Sequence, residues 1–181
     1  MRKRADSFVF TFTGKSGVHH TISIDDPLSV EAISRLRRRR AGFEELLAYK
    51  QGRRWQRLTP AMVNDYVREV SGLEASAKDF RTWHATVLAA LALAEGTDAT
   101  EGANPSAGSR HKQQVAAIKE VAEYLGNTPA IARGSYVDPR VLELHEQGHT
   151  ILVRGGASDD PQERQAAAEP AVLRLLAQDD D

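Results

Sequence analysis

Leu125-Gly126-Asn127-Thr128-Pro129-Ala130-Ile131-Ala132-Arg133-Gly134-Ser135-Tyr136-Val137-Asp138-Pro139-Arg140 is the stretch on which the reading of this chain turns. Thr128-Pro129 and Asp138-Pro139 each put a capping side chain before a proline. Proline, with its fixed φ and missing N–H, suits the first helical position. Two helix starts are therefore predicted, with Tyr136 in the short break between them. A phenol in such a break can face something other than its own core. Asn127 lies nine residues upstream, where Gly126 stops the preceding helix. This pattern allows a tyrosine nucleophile and does not demand one.

Working outward, Val115, Ile118, Val121, Ala122 and Leu125 form one apolar stripe of a helix over 110–125. After the tyrosine, a helix is predicted from Pro139 to about Gln147. His149 to Val153 is then a short strand or an extended tether, and Gly155-Gly156 ends the body. Upstream, 97–109 is a Gly/Ala/Thr/Pro loop. Ala77 to Glu95 reads as the central buried helix, because it is apolar nearly all round after Trp83. Its first turn holds Lys78, Asp79 and Arg81. An arginine there opposes the helix dipole and needs another reason, such as a buried carboxylate or a bound phosphate.

Thr59-Pro60 starts a helix that Gly72 ends, and 52–58 reads as an extended connector. Asp26-Pro27 opens a helix predicted to run to about Tyr49, with Ile33, Leu36, Phe43, Leu46 and Leu47 as its stripe. Arg37, Arg38, Arg39 and Arg40 crowd its middle. They are read either as a solvated face or as phosphate contacts, since four adjacent arginines repel one another unless an anion is near. Phe8 to Thr13 and Val18 to Ile24 alternate about Gly14-Lys15-Ser16-Gly17, a β-hairpin with Lys15 at its tip. A solubilising surface charge is the plain reading of that lysine.

The 181 residues suffice for one domain with a core and a tail. The expected fold class is α+β and predominantly α-helical, with the N-terminal β-hairpin packed on a helical domain over 1–156. Residues 157–181 are expected to be an acidic, flexible tail with one weak helix near Val172 to Leu176. The formal net charge of −1 hides this asymmetry. The tail carries seven acids and two arginines, which leaves 22 basic and 18 acidic side chains in the first 156 residues, formally +4. A mildly basic body is compatible with a polyanion partner. With no cysteine there is neither a disulfide frame nor thiol chemistry. No apolar run is long enough to span a membrane, and the basic start leads into a polar strand rather than a signal segment. A cytoplasmic protein is expected.

Phosphate-loop, dinucleotide and nucleophile-elbow motifs are absent. His145 and His149 are four apart, but Gly148 intervenes and the acidic partner of a zinc protease is missing, so no metal site is expected. What remains is Lys15 on a hairpin tip, Arg81 at a core-helix start, Asn127 at a helix end and Tyr136 at a helix break. A tyrosine attacking a phosphodiester needs cations and donors for the charge of the pentacoordinate phosphorane. A guanidinium forks two phosphate oxygens, a side-chain amide donates to one, and an acid must protonate the leaving oxygen. The set holds each type, but spacing alone does not bring the four together in space.

Four words carry a resemblance. They are Phe12-Thr13-Gly14-Lys15-Ser16-Gly17-Val18, Ala77-Lys78-Asp79-Phe80-Arg81-Thr82-Trp83, Leu125-Gly126-Asn127-Thr128-Pro129 and Ser135-Tyr136-Val137-Asp138-Pro139-Arg140. In order and spacing they resemble the catalytic domain of type IB DNA topoisomerases, in the small bacterial and poxvirus form, over roughly residues 1 to 150. The resemblance implies a fold like that of tyrosine recombinases and type IB topoisomerases. It also implies relaxation of supercoiled duplex DNA through a transient 3′-phosphotyrosyl nick and religation, without ATP, metal or other cofactor, by a monomer at the nucleoid. By the same resemblance Tyr136 is the nucleophile, Lys15 the general acid for the 5′-oxygen and Arg81 a phosphate clamp. Asn127 stands where many relatives have histidine and donates to a nonbridging oxygen, and Lys78 contacts a DNA phosphate. The family pattern also has a catalytic arginine upstream of the hairpin, preceded by a small clamp-closing domain. Here the word before the hairpin is Met1-Arg2-Lys3-Arg4, and neither Arg2 nor Arg4 is assigned that role. The alternatives are a truncated or degenerate DNA-binding remnant and a tyrosine recombinase. The latter would want a His-Xaa-Xaa-Arg pair, where this chain has His111 and Gln114.

Overall fold

Phe8, Phe10 and Phe12 alternate with polar residues, so one face of their strand is apolar, and that period-2 pattern builds the first element of the structure. The computed structural model describes residues 1–3, 6–14, 17, 19–39, 45–98, 105–152 and 160–178. It divides into two compact units, Met1–Ser76 and Ala77–Asp181.

In the first unit, β1 (Arg2–Lys3), β2 (Phe8–Thr13) and β3 (His19–Ile24) form an antiparallel sheet in that order. The β2–β3 register pairs Phe8 with Ile24 and Thr13 with His19, which is the expected hairpin. Its apolar face is buried at the base, where Phe8 is fully enclosed, and exposed towards the tip, where Phe12 stacks on His20 at 5.1 Å. Lys15 lies outside the described residues. Asp26 caps α1 (Pro27–Arg37), its carboxylate accepting the Ser29 N–H at 2.7 Å.

The helix predicted to run to Tyr49 ends instead at Arg37, and Ala48–Gln51 and Arg54–Arg57 form a second hairpin, β4–β5. The apolar spacing from Ile33 to Leu47 had matched a helix. The competing signal is the turn at Gly52, which takes φ of 61°, flanked by Tyr49 and Trp55, aromatic residues that favour strands. What was read as a connector is therefore β5. Thr59 caps α2 (Pro60–Ser71), and Gly72 closes it in the left-handed region, as predicted.

The second unit is helical: α3 (Ala77–Asp98), α4 (Ala107–Leu125), α5 (Pro129–Ser135), α6 (Pro139–Glu146) and α7 (Pro161–Leu176). As expected, α3 is central. Its Ala85, Val87, Ala89, Ala90, Leu91 and Leu93 are buried against Ala117, Ile118 and Val121 of α4, Val141 and Leu144 of α6, and α7. Burying a side chain such as Leu93 or Val121 contributes about 1.5–3 kcal/mol.

Beyond residue 156 the structure departs from the expected flexible tail. Residues 161–176 form α7, with Ala168, Ala171, Val172 and Leu175 in the core of this unit. The division into two compact units falls after Ser76. The alanine, glutamine and acid content hid the helix, because buried alanines give little hydrophobic contrast. The helix also carries Pro170 inside it, a residue that costs a helix interior one backbone hydrogen bond. Among the described residues, no helix is long and apolar enough to cross a membrane.

Candidate active site

Local capping sets the backbone around Tyr136. The Thr128 hydroxyl accepts the Ile131 N–H at 3.3 Å and starts α5; the Asp138 carboxylate accepts the Arg140 N–H at 2.9 Å and starts α6. Both Pro-started helices thus form where predicted, with the tyrosine between them. Tyr136 is the C-cap of α5, at φ −133° and ψ −31°, and its N–H and that of Val137 both donate to the Ala132 carbonyl at 3.1 Å. Ala132 and Val137 are buried on either side of it. Tyr136 itself is half-buried, its ring packed against the core cluster.

Lys78 and Arg81 are three residues apart on α3 and so share a face. Both lie over the Tyr136 ring, with the Arg81 guanidinium carbon 5.0 Å and the Lys78 ammonium 5.9 Å from its centroid. Arg81 also donates from Nη2 to the Leu125 carbonyl at 2.6 Å. That carbonyl ends α4, at the negative pole of its dipole. The cation that looked misplaced on its own helix is held by the end of the next one. Arg81 is nonetheless exposed to solvent.

Asn127 follows two residues after the Arg81 acceptor. Gly126, at φ 65°, lets the chain reverse, and the Asn127 N–H returns to the Ala122 carbonyl at 2.9 Å. Only glycine adopts that backbone without strain. The Asn127 side-chain Nδ2 is buried and makes no hydrogen bond among the described residues. An unmatched buried donor is uncommon and suits a group that waits for a ligand oxygen.

The structure therefore brings Tyr136, Arg81 and Lys78 together, with Asn127 on the turn that follows the Arg81 acceptor. It does not speak to Lys15. Of the arginine run, Arg37 lies over the Phe8 ring at 5.5 Å, Arg38 is exposed, and Arg39 lies over Trp55 at 4.9 Å and donates to the Glu45 carbonyl. Arg40 lies outside the described residues. Two of the four thus hold the first unit together, a reading between the two that the sequence allowed.

The roles of Thr86, Gln114 and His84 near this site escaped sequence reading. Thr86 is 2% exposed, and its hydroxyl accepts the Asp138 N–H at 3.1 Å. A hydroxyl at the head of the apolar run from Ala85 to Ala94 was the signal that could have found it. Gln114, noted only for not being an arginine, is buried and donates to the Leu142 carbonyl at 2.8 Å, tying α4 to α6. His84 stacks on Tyr124 at 4.9 Å, and its partial burial lowers its pKa against the opposing charge of Glu169.

The family model described as "Eukaryotic DNA topoisomerase I, catalytic core" matches residues 1–149, a span that includes Lys78, Arg81, Asn127 and Tyr136. The chain is also similar to DNA topoisomerase 1B of Acanthamoeba polyphaga mimivirus, at 28% identity over 154 residues, 83% of this chain and 45% of that protein. The chain thus spans about half the length of that relative. With most of its length matched by the family model, the chain belongs to the type IB DNA topoisomerase family, through its catalytic core.

Proposed function

We propose that this chain carries out the type IB reaction on duplex DNA. The Tyr136 Oη gives up its proton to solvent, attacks a backbone phosphorus and forms a 3′-phosphotyrosyl bond while the bond from phosphorus to the 5′-oxygen breaks. That oxygen leaves with a proton from Lys15. The nicked duplex swivels, and the 5′-hydroxyl then attacks the same phosphorus and releases Tyr136, so no ATP, metal or other cofactor is consumed. Arg81 and Asn127 donate to the nonbridging oxygens as the phosphorane gathers charge. Lys78, Arg37, Arg38, Arg39 and Arg40 contact flanking phosphates, which gives affinity with little sequence information. The reading has the chain working as a monomer on DNA in the cytoplasm, with a tyrosine recombinase-like catalytic fold.

The observation that carries this proposal is the pair of α3 cations against a tyrosine anchored by helix caps on both sides. The test is relaxation of a supercoiled plasmid without ATP or metal, together with trapping of a covalent adduct on labelled duplex DNA. Both should occur with the native chain and vanish with Tyr136→Phe. An adduct that survives that substitution sinks the assignment. Salt-sensitive DNA binding with neither relaxation nor adduct would instead establish the DNA-binding remnant.

A further inference from the structure

Thr86 sits in the most apolar stretch of α3, between the buried Ala85 and Val87, and is itself 2% exposed. Its Oγ1 lies 2.9 Å from the Thr82 carbonyl, 3.4 Å from the Tyr136 carbonyl and 3.1 Å from the Asp138 nitrogen. A hydroxyl has one proton and two lone pairs. The shorter donor geometry gives the proton to Thr82, one turn back in the same helix, as buried threonines often do. The lone pairs then face the Asp138 N–H, and the Tyr136 carbonyl shares the proton at longer range.

The Asp138 N–H has no other source of satisfaction in α6. Asp138 is the N-cap residue, and its carboxylate is already engaged with the Arg140 N–H. Thr86 therefore grips the two peptide groups that flank Val137, one belonging to the tyrosine and one to the next helix start. Val137 and Ala132 anchor the same loop by apolar burial. Apolar contact is non-directional, so it holds the loop down without fixing the rotation of its peptides. A hydrogen bond does fix it. We propose that Thr86 is a positioning residue for the nucleophile: its hydroxyl orients the main chain from which the Tyr136 phenol projects towards Arg81 and Lys78. This rests on the reading of Tyr136 as nucleophile.

The test compares Thr86→Val, which keeps the shape without the hydroxyl, and Thr86→Ser, which keeps the hydroxyl without the methyl, in the full chain. Single-turnover covalent adduct formation is measured on labelled duplex DNA, alongside non-covalent Kd and Tm. Thr86→Val should lose roughly ten- to a hundredfold in rate, as expected when a reacting group is slightly misplaced. Its Kd should stay within about twofold of the native value. Thr86→Ser should lose Tm yet recover most of the rate, a crossing that a purely structural threonine would not produce. Equal rates in Thr86→Val and the native chain, or rate losses that follow Tm in both variants, would overturn the proposal. If Thr86→Val does not fold, Thr86→Cys, close in volume and a weak acceptor, carries the same comparison. Hydrogen exchange of the Asp138 amide, which needs no DNA, keeps the two readings apart. A native chain that forms no adduct defeats the nucleophile, whereas unchanged amide protection without the hydroxyl defeats the role of Thr86.

Discussion

Replacing Arg81 with alanine separates structural from chemical work at one side chain. In the free protein its guanidinium bonds the Leu125 carbonyl at 2.6 Å and lies 5.0 Å from the centre of the Tyr136 ring. Losing a single hydrogen bond costs about 0.5–1.5 kcal/mol, and a cation–π contact at an exposed site about 0.5–1 kcal/mol. The stability loss should therefore be about 1–2.5 kcal/mol. At about 2–4 °C per kcal/mol for a chain of this size, Tm falls by roughly 2–10 °C and the protein stays folded at the assay temperature. The chemical loss should be larger. Removing one preorganised donor from a developing oxyanion typically costs about 10²–10³-fold in rate, or about 2.7–4 kcal/mol.

Arg81→Lys sharpens the test. An ammonium keeps the charge but lacks the planar fork, so it cannot hold the Leu125 carbonyl and two phosphate oxygens in one fixed geometry. Its rate should fall between those of the native chain and Arg81→Ala, with DNA affinity closer to native. The assay is single-turnover adduct formation at saturating protein on labelled duplex, with Kd and thermal melting on the same preparations. An Arg81→Ala rate within about threefold of native would refute the clamp reasoning, since that is well below the loss of one oxyanion donor. A rate loss restored simply by lowering the temperature below the variant's melting range would refute it equally.

Two further outcomes follow from the core of the second unit. Leu175→Ala in α7, at a side chain 4% exposed, should cost about 2–5 kcal/mol by thermal or urea denaturation, whereas no change would mean that 157–181 behaves as a free tail after all. His145, 1% exposed, has its pKa pushed below the usual 6.5 first by burial and then by the charge of Arg110, with Glu146 opposing; burial does the same to His84. Below 6.5 the unfolded chain then binds more protons than the folded one, so stability is full above that pH and falls as pH drops through the window down to the folded values. Urea denaturation between about pH 8 and about pH 5 should show this decline, and a flat profile would count against both depressed histidines.

Helix starts were legible because their physics is local. Thr59-Pro60, Thr128-Pro129 and Asp138-Pro139 each state a cap and a first-turn residue within two positions, and all three helices begin there. The central place of α3 was legible because only a helix enclosed on all sides can be apolar all round. Features that depend on partners distant in sequence were not. The stripe from Ile33 to Leu47 fits a helix when taken alone and yields to a hairpin once Tyr49 and Trp55 can sit on adjacent strands. The small buried alanines of α7 acquire meaning only against α3 and the rest of that core.

The site shows the same division. Tyr136 and Arg81 could be picked out by type and by resemblance, but the hydroxyl of Thr86 acts on a peptide 52 positions away, and no periodicity within α3 points across that span. Arg81 is the instructive case. Taken helix by helix, a cation near the start of α3 opposes the dipole and calls for an anion. The structure supplies a partner that is neither carboxylate nor phosphate, the terminal carbonyl of α4, whose dipole runs the favourable way for a cation. One N–H of the fork is thereby committed to protein, and the guanidinium is held near the tyrosine in the free protein. An arginine tethered in this way loses less freedom when it meets a phosphate than one extended into solvent. The local conflict with its own helix is thus resolved by the end of α4, which holds Arg81 beside Tyr136.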